Sequence, residues 1–395
     1  MTFATLQNII YSKSMKYFFL FISILLFSCK EETKKIPDFV EKIIPSTDIL
    51  YAKGFSVEKQ PSGVTIIKIT SPWPNAEAVF TYALIPKEKA ASMTLNRDEY
   101  DAIVTVPIEN IVVTSTTHIP VLEALGVENT LVGFPDTQYI SSNKTRALIA
   151  KGQIKELGQN ETINTELLLE LQPNLVVGFS IHNENKMYET IQRANIPVVY
   201  NGDWTEETPL GKAEWIKFFA PFYGLEKKAD SIFQDITNNY LAAKELAAKA
   251  TNRPTVISGA IYNDVWYLPG GKSWASKFIE DANAAYMFKD TEETGSLSLS
   301  WESVLEKGKK ANFWISPSQF TSYKDMTANS QHYGQFDAFK KKKVYSFAGT
   351  TGETGGLLYY ELAPNRPDLV LKDLIHIFHP DLLPNYIPTF FKPLD

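Results

Sequence analysis

The sequence predicts an α/β protein of two parallel-sheet lobes joined by one long helix, with a small β-rich extension ahead of the first lobe. Three observations carry this. From Ile108 onward, short β-branched runs alternate with helical stretches, the pattern of parallel strands covered by helices. One long amphipathic stretch, about Glu226 to Ala250, interrupts the alternation. After Pro254 the alternation resumes.

Taken in order, residues 45–107 read as the extension. Val64–Ile69 and Val79–Ile85 are β-branched or aromatic runs, and Ser71-Pro72-Trp73-Pro74 marks the turn between them. The first lobe, 108–211, has strand candidates at Ile111–Thr114, Thr130–Gly133, Leu175–Gly178 and Pro197–Tyr200. Helical stretches such as Val121–Leu125 and Glu166–Leu171 fall between them. The joining helix lies in 212–252. Ala229, Ile232, Phe233, Ile236, Tyr240, Ala243 and Ala247 recur at helical spacing, and the stretch would reach about 37 Å. The second lobe, 253–395, has strands at Thr255–Gly259, Ala311–Ile315 and Lys343–Phe347. Its helices are expected near Ser273–Asp281, Trp301–Lys307 and Leu369–Phe378.

The start of the chain differs in character. Met15-Lys16-Tyr17 precedes the apolar run Phe18–Phe27 and then Ser28-Cys29. A run of about ten residues falls short of the roughly 20 that span a bilayer, and the layout is that of a secretory signal, residues 1–28. The expected start is either Met1 or Met15, because residues 1–14 add nothing to a signal. Leu26-Phe27-Ser28-Cys29 resembles a lipobox, although Phe27 is bulkier than the usual residue there. Cys29 is the one cysteine of the chain, so no internal disulfide forms, and lipidation gives it a role. The alternative is an uncleaved membrane anchor with an incidental cysteine. Residues 29–44, beginning Lys30-Glu31-Glu32, form a charged, solvated tether. With Lys30 after the cysteine, the periplasm-facing membrane and the cell surface both stay open as destinations.

The 395 residues are 44% hydrophobic and 21% charged, enough apolar material for a large core. A net charge of -6 argues against nucleic acid as a partner. Aromatics at 13% suit a core together with an aromatic binding cleft. The chain lacks a Gly-x-Ser-x-Gly elbow and a His-Glu-x-x-His motif, so the expectation is a protein that is not an enzyme. Gly270-Gly271-Lys272-Ser273 lacks the spacing of a phosphate loop and reads as a helix-entry turn.

Several segments, from Asn110 to Asn385, carry a family resemblance. They are Ile111-Val112-Val113-Thr114 followed by Leu122-Glu123-Ala124-Leu125-Gly126, then Val132-Gly133, then Leu171-Gln172-Pro173-Asn174. In the second lobe they are Leu268-Pro269-Gly270-Gly271, Ser300-Trp301-Glu302-Ser303, Arg366-Pro367-Asp368 and His379-Pro380-Asp381. In order and spacing the chain resembles the periplasmic-binding family that serves ABC importers of ferric siderophores, haem and cobalamin. The resemblance implies the helical-backbone periplasmic-binding fold, a ligand held between the lobes, and modest motion on binding. It implies a monomeric lipoprotein with no cofactor of its own, which takes a small-molecule metal chelate and delivers it to an ABC permease in the inner membrane. The extension is not part of the family core.

The same resemblance makes Glu166 and Glu302 the permease-docking pair, one glutamate per lobe facing arginines of the permease. Their local setting also explains them without a partner. Each acid sits in a first helical turn after Asn164 or Ser300, where it complements the helix dipole by about 0.3–1 kcal/mol. Ligands of such folds bind at the carboxyl ends of the strands. That rule selects Thr116, Thr117, His118, Phe134, Asp136, Tyr139, Phe179, Ser180, Asp203 and Trp204 in the first lobe. In the second it selects Tyr262, Trp266, Trp274, Phe320, Tyr360 and Arg366, where arginine would meet ligand carboxylates or catecholate charge. A bare Zn or Mn site needs three or four ligands, and the first-lobe loops offer only His118, His182 and Asp136. A single axial haem ligand from His118, His182 or a tyrosine is compatible with the pattern. His376 and His379 read as structural, and His332 has no metal-ligand neighbour in the sequence. Gly349–Gly356 is either a cover for the cleft or an ordinary connection. The competing functional readings are a periplasmic or surface lipoprotein that captures its ligand without a permease, and a bare-metal binder.

Overall fold

The structure, a computed structural model, describes residues 48–74, 76–180 and 185–395. The export signal, Cys29 and its tether, and His182 lie outside the described residues. The extension is a four-stranded sheet of β1 (Phe55–Lys59), β2 (Thr65–Ile69), β3 (Phe80–Pro86) and β4 (Ala102–Val106), in that order. β1–β2 and β2–β3 pair antiparallel and β3–β4 parallel. Phe55, Val57, Ile67, Ile69, Tyr82 and Leu84 pack into one core with Ile111 and Val113 of the first lobe. The extension is therefore fused to that lobe rather than hung from it.

The first lobe is an all-parallel sheet of β5 (Ile111–Val113), β6 (Leu131–Phe134), β7 (Lys155–Glu156), β8 (Leu175–Gly178) and β9 (Val198–Tyr200), in the order β7-β6-β5-β8-β9. β5, β8 and β9 are buried along their whole length, because both faces of the sheet are covered. The joining helix runs Glu226–Ala247, about 33 Å. Its buried residues Ala229, Phe233 and Ile236 belong to the first-lobe core, whereas Tyr240, Ala243 and Ala247 belong to the second. Each end of the helix is thus rooted in a different lobe.

The second lobe adds β10 (Thr255–Ser258), β11 (Ala260–Tyr262), β12 (Val265–Pro269), β13 (Ala285–Tyr286), β14 (Ser296–Leu299), β15 (Phe313–Ile315), β16 (Val344–Ser346) and β17 (Lys392–Pro393). Its main sheet, β13-β10-β15-β16-β17, is parallel except for the last pair. A second sheet, β11-β12-β14, is antiparallel. Asn263 and Asp264 join β11 to β12 with φ of 48° and 63°, the left-handed geometry of a two-residue hairpin. Among the described residues, no helix is long and apolar enough to cross a membrane.

Candidate functional site

Between the lobes lies a cavity of about 820 Å³. The first lobe supplies Trp204–Glu207, the loop after β9. The second supplies the β10–β11 corner, the β11–β12 hairpin, the start of helix Trp274–Asp281, the loop after β15, and Phe347 and Tyr360. The extension supplies a third wall, Ser71, Trp73, Pro74 and Ala76. Trp204, Tyr262, Tyr267 and Tyr360 keep 38–69% of their surface exposed here. Large aromatic surface left in water on one concave wall is what a ligand site for a flat or greasy molecule requires.

The third wall is held rigidly. The Thr205 hydroxyl donates to the Ser71 carbonyl at 2.9 Å. A Cβ on Gly202 would meet that same carbonyl at 2.5 Å, so only glycine permits the approach. Trp73 packs edge-on against Phe80 and Tyr200, ring centroids 5.7 Å apart in both cases. Behind the wall, the Glu206 carboxylate accepts from the backbone N–H of Lys53 and Gly54 at 2.9 Å and from the Trp215 indole at 3.0 Å. The Trp204 loop is fixed from below by Lys212, whose ammonium donates to the carbonyls of Asp203 and Trp204 at 3.0 Å. Burial pulls the Lys212 pKa down to about 8, against the opposing pull of Asp203 and Glu206. The same ammonium lies 5.1 Å from the ring centre of Trp274.

The other half of the inter-lobe gap is closed. The Glu361 carboxylate accepts from the N–H of Ser141 at 2.5 Å and of Ser142 at 2.9 Å. Thr354 donates to the Gln138 carbonyl at 2.6 Å, and Asn365 to the Thr117 carbonyl at 2.8 Å. A Cβ on Gly356 would collide with the Tyr139 carbonyl. The glycine-rich loop thus seats on the first lobe and fastens the lobes together on that side.

These contacts sort the candidate residues. Trp204, Tyr262, Trp274, Phe320 and Tyr360 line the cavity. Thr116, Thr117, Asp136, Tyr139, Phe179 and Asp203 do not line it. Thr117 donates to Asp203 at 2.8 Å, Asp136 accepts from Asn160 N–H, and Phe179 accepts from the Tyr188 hydroxyl. Thr116 is half-buried at the head of helix His118–Leu125, and Ser180 is buried after β8. Four expectations are corrected outright. Phe134 is buried in the first-lobe core. Trp266 is wholly buried, stacked on Trp314 at 5.2 Å with its indole donating to Ser258 O. Strand alternation puts its neighbour Tyr267 on the cavity instead. Arg366 forms a bidentate pair with Asp368, 2.8 Å on both arms, and lines a separate cavity beside the long helix. His118 is 1% exposed against Phe219, and burial depresses its pKa to about 4, so the ring is neutral and has no route to a ligand in the cleft.

His376 and His379 bond backbone carbonyls of Leu383 and Ala282, and His332 stacks on Trp301 at 3.7 Å. Among the described residues, no three His, Cys, Asp or Glu side chains converge. Glu166 and Glu302 are exposed in the first turns of helices Thr165–Leu171 and Trp301–Gly308, capped by Asn164 and Ser300 as expected. Neither carboxylate has a side-chain partner among the described residues.

A family model described as periplasmic binding protein matches residues 111–349, and the chain belongs to that family. An uncharacterised lipoprotein of Methanocaldococcus jannaschii is 27% identical over 300 residues, covering 73% of this chain and 69% of the relative. Two solved structures share the fold. One is a possible iron-binding periplasmic solute-binding protein of Staphylococcus epidermidis, with TM-score 0.55, 18% identity, and coverage of 69% of this chain and 99% of that one. The other is the periplasmic haem-binding protein RhuT of Roseiflexus, with TM-score 0.54 and the same identity and coverage. The extension lies ahead of the family-matched residues, so the third wall is an addition to the family core.

Proposed function

We propose that this protein is a membrane-anchored solute-binding lipoprotein, lipidated on Cys29, that captures a metal chelate in the inter-lobe cleft and presents it to an ABC import permease. The chelate is a ferric siderophore, haem or cobalamin. The observation that carries the reading is the 820 Å³ cleft, walled by exposed aromatics from both lobes and closed on its far side by the Glu361 fastening. Two structural neighbours, one a possible iron-binding protein and one haem-binding, and a sequence relative that is a lipoprotein support it. The protein acts by binding alone, and Glu166 and Glu302, one on each lobe, form the docking points.

The test uses the chain without its first 28 residues and with Cys29→Ser, so that no lipid is attached. Trp204 and Trp274 line the cavity and report occupancy by fluorescence quenching. Titration with haem, cobalamin and ferric siderophores is expected to give saturable quenching below about micromolar concentration, near -8 kcal/mol of binding free energy. Absence of quenching and of a ligand absorbance change for every chelate at that concentration refutes the ligand class.

A further inference from the structure

The cleft wall has one sign of charge. Its ionisable carboxylates are Glu206 and Glu207, and no Lys, Arg or His is among the described residues that line it. Glu206 faces inward to the backbone and indole donors that hold the extension. Glu207 is exposed, and its ion-pair partner Lys53, at 3.8 Å, is more exposed still. A contact of that length between solvated groups neutralises little. The nearest buried cation, Lys212, is 6% exposed, spends its donors on two backbone carbonyls and does not line the cavity. Lys272 lies on a neighbouring cavity that Glu207 also lines; its main partner there is Glu292, with Glu207 a lesser one, and it does not line the cleft. Arg366 is withdrawn from the cleft and bound to Asp368. The remaining wall is aromatic rings with neutral hydroxyls and an amide, including Ser316, Ser318 and Asn329.

A polyanionic ligand entering such a cleft leaves water for a wall that offers no lining cation and one solvated carboxylate, Glu207. A neutral ligand loses only its hydration, and a cationic one gains the faces of Trp204, Tyr262 and Trp274 together with Glu207. We propose that the cleft is built for a metal chelate of zero or positive net charge and discriminates against polyanionic chelates. The inference rests on the chelate-binding function proposed above and narrows it. Ferric trihydroxamates and neutral corrinoids fall inside the class. Ferric tris-catecholates and haem, with its two carboxylates, fall outside it.

The experiment is a quenching titration of the unlipidated chain with four probes: a neutral ferric trihydroxamate, one bearing a pendant ammonium, a ferric tris-catecholate, and haem. The neutral or the cationic trihydroxamate is expected to bind at least about tenfold more tightly than either anionic probe. Added salt is expected to weaken the cationic probe, because its attraction to Glu207 is screened. Glu207→Lys, at an exposed position that folding tolerates, is expected to weaken the cationic probe several-fold and to strengthen the tris-catecholate. If haem or the tris-catecholate binds as tightly as the trihydroxamates, the charge inference is overturned while chelate binding stands. If Glu207→Lys leaves the ranking of a binding-competent chain unchanged, Glu207 has no part in the selection and the inference is overturned in that form. If none of these probes binds and cobalamin does not bind either, the proposed function fails with it.

Discussion

Replacing Glu214 by glutamine isolates what holds the extension to the first lobe. Glu214 is fully buried just beyond helix Pro209–Ala213. Its two oxygens accept from the backbone N–H of Leu50 at 2.9 Å, of Tyr51 at 2.6 Å and of Ala52 at 2.9 Å. They also accept from the Lys217 ammonium at 3.1 Å, itself donating to the Asp48 carbonyl at 2.8 Å. Glutamine keeps one acceptor oxygen and turns an NH2 group toward donors. At least one buried N–H then loses its partner, at about 1–3 kcal/mol. The Lys217 ammonium, 7% exposed, loses its nearest carboxylate and keeps only the half-exposed Asp230 at 3.6 Å, which brings the total to about 3 kcal/mol. A domain of ordinary stability, about 5–15 kcal/mol, would lose a fifth or more of it. Urea unfolding of the unlipidated chain measures the global loss, and limited proteolysis between residues 48 and 54 measures local release. A loss under about 1 kcal/mol with unchanged protease protection refutes the claim that this carboxylate pins the extension.

Three further outcomes are expected. Burial pushes the Glu361 carboxyl up to about 7 from its ordinary 4.5, with the Ser141 and Ser142 N–H groups opposing and Glu123 adding to the rise. The folded state therefore keeps a proton that the unfolded chain has lost between these values. This stabilisation is complete below pH 4.5 and disappears as pH rises through 7, about 3 kcal/mol in all. Urea unfolding across pH 4–8 is expected to show a decline that Glu361→Gln removes, and an identical profile in the variant refutes it. Charge reversal at both Glu166 and Glu302 is expected to leave chelate affinity intact and abolish permease-dependent uptake; normal uptake sinks the docking role. Trp73→Ala, at a 7% exposed ring, is expected to cost about 3–5 kcal/mol of stability and to weaken chelate binding, whereas unchanged affinity would remove the third wall from the site.

The architecture was legible where periodicity is strong. The helix spacing from Ala229 to Ala247 predicted both the joining helix and its buried face, and the β-branched runs at 111–114, 175–178 and 197–200 became β5, β8 and β9. β1 escaped notice because Phe-Ser-Val-Glu-Lys shows only one cycle of alternation, and β4 because Ala-Ile-Val-Thr-Val is short and lacks a clear alternation, although Pro107 closes it. The β11–β12 hairpin carried a usable signal, Asn263-Asp264 between aromatic runs, that also decides which face Trp266 takes. The rule that ligands gather at strand carboxyl ends found Trp204, Tyr262 and Phe320, but it could not say which loops would be consumed by the other lobe. Tertiary contact decides that: the loops after β5 and β6 are covered by the Thr354–Asn365 segment. The contribution of Ser71-Pro72-Trp73-Pro74 was hidden by its reading as a mere turn. Two prolines flanking a tryptophan make a stiff loop that presents a ring, and that stiffness is what a wall needs.

The positions of the fixed contacts constrain how the cleft can work. The long helix is rooted in both cores, and the Glu361, Thr354 and Asn365 bonds tie the lobes on the side away from the cavity. Helix Pro209–Ala213 also meets helix Trp274–Asp281, with Leu210 packed into the second-lobe core, so any relative motion would be a small rotation about these contacts, with the edge lined by Tyr262 and the extension free to move most. Because the extension shares its core with the first lobe, Trp73 and Pro74 move with Trp204 as one body. The β11–β12 hairpin, with Tyr262 and Tyr267, moves with the second. On the proposed function, a chelate held between these two aromatic faces would set their separation. The same separation fixes the spacing of Glu166 and Glu302, which sit on opposite lobes, so a two-point dock at these carboxylates would distinguish a loaded protein from an empty one. A rotation about a fastened edge would move the free edge most, which is where the added wall stands; on the proposed function the extension would thereby make the spacing depend on the size of the ligand as well as on the contacts between the lobes.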